Sequence, residues 1–66
     1  MTPREVIEFY GTQKGVAAAV GISQASVSEW VSNGYVPLGR QYELQVLTGG
    51  RLRADPESVK SAKEAA

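Results

Sequence analysis

Between Thr12 and Val31 the chain reads TQKGVAAAVGISQASVSEWV, and that spacing leaves little freedom of fold. Ala17 is small, Gly21 follows four positions later, Val27 six after that and Trp30 three further on. Val16, Val20 and Ile22 fill the intervening places with apolar side chains. Small residues at 17–19 let another helix approach closely, and Ala favours the helical backbone. Gly21 supplies a left-handed turn without a Cβ penalty. The spacing predicts two short helices, over about 13–20 and 24–32, closed around a tight turn. Thr12 is the cap of the first and Ser23 of the second, Ile22 plugs the turn, and Asn33-Gly34 ends the pair. Val27, Trp30 and Val31 are expected to face inward, with Trp30 in the core.

The remaining sequence extends this helical reading. Thr2-Pro3-Arg4-Glu5 has the form of a capping box with proline at the first helical position, and Gly11 closes a helix over about 3–10. Val6, Ile7 and Tyr10 make its apolar face. After Pro37 the pattern is double. Leu38, Tyr42 and Val46 form one helical stripe with Leu44 and Leu47 beside it, yet Tyr42, Leu44 and Val46 also alternate as in a strand. Pro37 as a start and Gly49-Gly50 as a stop favour a helix over 38–47. The alternative is a hairpin over about 41–54 turning at Thr48-Gly49-Gly50, with Leu52 and Ala54 on the return. Asp55-Pro56-Glu57 resembles another helix start, but Val59 is the one sizeable anchor beyond it, so 55–66 reads equally as a short helix or a flexible tail. The expected architecture is all-α, four to five helices, with residues 1–54 as the working unit and 55–66 appended to it. An α+β fold with the hairpin is the alternative.

Composition narrows the chemistry. At 66 residues the chain is one small domain, near the lower limit for a self-supporting core. It has no cysteine and no histidine, which removes thiolate and imidazole metal ligands and the usual general base. No paired carboxylates or phosphate-binding glycine loop stand in for them, so we expect neither an enzyme, nor a metal or cofactor site, nor a small-molecule ligand. No apolar run approaches the roughly 20 residues of a membrane span, and no leader opens the chain. A soluble intracellular protein, without a membrane partner, is expected. Along the second helix of the pair, Gln24, Ala25, Ser28, Glu29 and Ser32 point outward. Such a face, rich in Gln, Ser and Ala, suits base edges in a DNA groove better than plain solvent. Seven Lys and Arg against seven Asp and Glu argue the other way, because phosphate contacts favour a basic protein. Neutrality keeps a helical protein-interaction module or anti-repressor as the second reading. Distribution answers part of this: Lys14 and Arg40 flank the reading unit as candidate phosphate contacts, while Asp55, Glu57 and Glu64 lie in the tail. Tyr42 reads as a core or dimer residue, and Arg51 and Arg53 equally as phosphate contacts or as solvated charges.

Over roughly residues 4–53, the segments EVIEFYGTQKGVAAAVGIS, QASVSEW and VPLGRQYELQVLTGGRL resemble the Cro repressors of lambdoid phages and prophages. Members share their first three helices and then divide into all-α and hairpin-ending forms. The Pro-x-x-Arg and Thr-Gly-Gly pattern here is closer to the all-α ones. The resemblance implies a transcriptional repressor that occupies double-stranded operator DNA as a homodimer. It puts Ser23, Gln24, Ala25, Ser28 and Glu29 on the base-reading face, and Thr12, Gln13 and Lys14 at the phosphates. Glu29 departs from the basic or amide residue common at its place.

Overall fold

The computed structural model describes residues 1–65. Among these residues it contains five helices and no strand: α1 (Pro3–Tyr10), α2 (Gln13–Val20), α3 (Gln24–Asn33), α4 (Leu38–Leu47) and α5 (Pro56–Ala65). The all-α expectation holds and the hairpin over 41–54 does not form. The expected short helix or flexible tail over 55–66 includes Ala66, which lies outside the described residues.

Local chemistry sets the boundaries. At α1, Thr2 Oγ1 accepts from the Glu5 amide at 3.2 Å and Glu5 Oε1 accepts from the Thr2 amide at 2.9 Å, which completes the capping box. Thr12 Oγ1 accepts from the Gly15 amide at 2.9 Å and Ser23 Oγ from the Ser26 amide at 3.2 Å. At α5, Asp55 Oδ1 accepts from the Glu57 amide at 3.2 Å. Gly21 and Gly34 close α2 and α3 in the left-handed region, with φ of 81° and 82°. The α3 helix runs one residue past the expected end at 32.

The first three helices pack on one another, and Val6, Val16, Ala17, Val27 and Trp30 meet in the core with Val36, Leu44, Leu52 and Met1. Val31 does not join them; it is 48% exposed. It sits about 100° around α3 from Trp30 and lines an open groove with Pro3, Ile7 and Gln13. The core takes only the stripe centred on Val27 and Trp30.

The α4 helix departs furthest from its apolar pattern. Its buried stripe is Gln41 and Leu44, continued by the C-cap Thr48, while Tyr42, Val46 and Leu47 are exposed. Tyr42 is therefore not a core residue, and the Leu38–Tyr42–Val46 stripe faces largely outward. Hydrogen bonding explains the rotation. Gln41, fully buried, donates from Nε2 to the Val36 carbonyl (2.8 Å) and Ser58 Oγ (3.2 Å). Its Oε1 accepts from the Asp55 amide (2.8 Å) and the Met1 nitrogen (3.5 Å). All the capacity of the amide is used, so its burial carries no unsatisfied group. One helical turn on, Gln45 Oε1 accepts from the Ala54 amide at 2.8 Å. Thr48 Oγ1 accepts from the Leu52 amide at 3.0 Å and donates to the Leu44 carbonyl at 2.8 Å. The returning segment is thus held by side chains of α4 where a hairpin would use strand backbone. Its Leu52 fills the core. Ser58, half-buried Val59, and Lys63, whose Nζ lies 5.6 Å from the Tyr35 ring centroid, seat α5.

Candidate nucleic-acid interface

The α2 and α3 helices meet at the Gly21 turn, where the Gly21 and Ile22 amides both reach the Ala17 carbonyl, at 2.8 and 3.0 Å. These two hydrogen bonds to one acceptor fix how α3 leaves the turn. Half-buried Ile22 packs against the core from the same place. A second constraint lies at the start of α2. A Cβ on Gly15 would stand 2.9 Å from the Tyr10 carbonyl oxygen, so α1 and α2 approach more closely than any side chain allows. Sequence reading passed over Gly15, because a glycine inside a helix signals nothing about what lies across from it.

With Val27 and Trp30 turned inward, Gln24, Ala25, Ser28, Glu29 and Ser32 are exposed along the outer side of α3. Ser23 is exposed beside them, but its hydroxyl is engaged in the turn, 3.0 Å from Ser26 Oγ as well as capping α3. Thr12 and Lys14 are exposed and Gln13 half-buried at the start of α2. Thr12 Oγ1 accepts from Gly15 and keeps its proton for an outside acceptor. The structure joins two residues that the sequence assigned separately: Ser28 Oγ donates to Gln13 Oε1 at 2.7 Å, across fifteen positions of chain. Arg40 stands apart from this cluster in its chemistry. Half-buried, its guanidinium is paired with Glu43 at 2.8 Å and would have to share or leave that partner to meet a phosphate.

The charge distribution is more favourable to an anion than the neutral total suggests. The α2 and α3 helices have no acidic residue in their first turns, whereas α1 and α5 carry Glu5 and Glu57 there. The first amides of α2 and α3 thus point their partial positive charge at solvent with no carboxylate over them. Four of the other carboxylates are occupied, Glu5 and Asp55 in caps, Glu43 by Arg40, and Glu8 by Arg4 at 3.7 Å, while Glu57 and Glu64 stand on α5. Glu29 is the acid that the outer face of α3 presents. Among the described residues no cluster of acids could hold a metal ion, and no helix is long and apolar enough to cross a membrane.

Comparisons with known proteins cover most of the chain, this pair of helices included in the family match. The regulatory protein cro of Salmonella phage P22 is 37% identical over 62 residues, covering 94% of this chain and 98% of that protein. The repressor protein of division inhibition gene dicB of Escherichia coli K12 is 35% identical over 57 residues, covering 86% of this chain and 74% of that one. The fold is similar to the structure of N15 Cro complexed with consensus operator DNA, with a TM-score of 0.80 and 30% identity. That match covers 92% of this chain and 97% of that one. The family model for the DNA-binding transcriptional regulator Cro matches residues 2–63, and the chain belongs to this Cro family of DNA-binding regulators.

Proposed function

We propose that this Cro-family regulator acts as a homodimer that sets α3 of each copy into successive major grooves of an operator, about 34 Å apart, and blocks transcription there. Gln24, Ala25, Ser28 and Glu29 read base edges, with Ser23 at their margin. Thr12, Gln13, Lys14 and Arg40 meet phosphates and fix the register. The observation that carries this reading is the outer face of α3: exposed hydrogen-bonding side chains beside an α2 N-terminus without acids. N15 Cro, similar over 92% of this chain, was solved with operator DNA, which supports the same ligand here. The protein then works in the cytoplasm of the bacterial host, on its DNA, and residues 1–54 form the reading unit that α5 buttresses.

Dimerisation fits the exposed side of α4, where Val46 is 80% and Tyr42 51% accessible and nothing in the monomer covers them. A second copy packed on this face would supply the affinity that a net charge of zero withholds from a monomer. Selection of duplexes from a random pool at two salt concentrations tests the whole proposal. It should enrich one pseudo-palindrome, bound more weakly as salt rises. Enrichment of no sequence would refute it. Gln24→Ala should cost about 1–3 kcal/mol on the selected site and relax the preference at one base pair per half-site.

A further inference from the structure

The Gln13–Ser28 bond gives the reading face a direction that neither residue has alone. A serine hydroxyl offers one proton and two lone pairs. The Ser28 proton is directed at Gln13 Oε1 over 2.7 Å, the usual length of a good O–H···O bond. What Ser28 turns toward the outside is lone pairs only. For Gln13 the polarity is the reverse: its carbonyl oxygen is occupied, and its amide hydrogens are left to point outward. Gln13 is half-buried, in the groove lined by Pro3, Ile7 and Val31, so its stem restricts how the amide turns.

We infer that Gln13 polarises Ser28 into an obligate acceptor, so that Ser28 selects a base carrying an amino group, adenine or cytosine, on the strand it faces. The inference rests on the DNA-reading function proposed above. In the major groove adenine N6 and cytosine N4 donate, whereas guanine O6 and N7 and thymine O4 accept. An acceptor-only Ser28 rejects the keto bases by leaving two lone-pair groups opposed, and it tells one orientation of a base pair from the other. Gln13 is here a positioning residue for specificity, in addition to offering its own amide hydrogens to a neighbouring phosphate. A serine free of Gln13 would rotate its proton outward as readily and accept all four bases.

The test is duplex selection with the full chain and three variants. Ser28→Ala identifies the base pair concerned as the one whose preference it flattens. At that pair the wild type should favour A or C over G or T by about five- to tenfold. Gln13→Ala should bring that ratio close to one while leaving preferences elsewhere in the half-site intact. Gln13→Glu can only accept from Ser28, so it should keep the A-or-C preference while total affinity falls through the lost amide hydrogens and added negative charge. A Gln13→Ala protein that retains the wild-type ratio overturns the inference, as does a Gln13→Glu protein that loses it. If the wild type enriches no duplex, the DNA-reading function fails first and the inference falls with it.

Discussion

Gln41 shows how a polar residue comes to occupy the centre of a very small core. Its burial removes water from four hydrogen-bonding positions, and the fold returns a partner to each one. Removing the amide strands the buried Val36 carbonyl and takes the partner from the part-buried Asp55 amide. Each such group costs about 1–3 kcal/mol. Gln41→Leu, which fills the volume with apolar atoms, should therefore destabilise by roughly 2–4 kcal/mol, read as a fall in thermal midpoint of about 15–30 °C. An unchanged midpoint would show that water or rearrangement replaces the lost partners. Trp30, 5% exposed, is the apolar counterpart, and Trp30→Ala should cost about 3–5 kcal/mol by the same measurement. For a domain of this size that is a large share of its whole stability.

At the scale of elements, the helices are set by caps, and the sequence displayed those caps plainly. Thr2, Thr12, Ser23 and Asp55 all accept the amide that their position foretells. The apolar faces were legible where the helix lies in the three-helix core, as with Val6, Val16 and Val27. They misled at α4, because periodicity counts apolar residues and is blind to a buried glutamine with every bond satisfied. Val31 misled for a related reason: the spacing shows which residues share a side of α3, but not how wide the neighbouring helices make that side. Of the candidate interface, the exposed residues of α3 and the start of α2 were legible. The bond between Gln13 and Ser28 was not, since it depends on the crossing of two helices. The same holds for Gly15. Helix propensity alone says that Gly15→Ala stabilises by up to about 1 kcal/mol. The methyl group would meet the Tyr10 carbonyl at 2.9 Å, a backbone atom that cannot swing away. Displacing α1 from α2 costs about 1–3 kcal/mol, so chemical denaturation should find the variant less stable. A more stable protein would mean that α1 shifts freely.

On the scale of the whole molecule, the neutral net charge changes what salt and mutation should do. Lys14 is exposed at the start of α2, and Lys14→Ala should weaken every duplex alike and flatten the salt dependence of binding. Equal behaviour from Gln24→Ala would erase the division between positioning and reading contacts. Val46→Glu on the open side of α4 should leave the monomer folded, lower the sedimentation-derived dimer fraction, and weaken operator binding. A variant that still dimerises fully would move the dimer contact elsewhere. The segment from Leu52 to Asp55 carries one more whole-molecule consequence. Amides in irregular chain usually exchange with deuterium quickly, yet Leu52, Ala54 and Asp55 each donate to a side chain of α4 or of its C-cap Thr48. Their exchange should be as slow as that of helical amides and should accelerate together when α4 opens. In time-resolved deuterium labelling this stretch would behave like a strand in a sheet, although the other half of that sheet is a row of side chains.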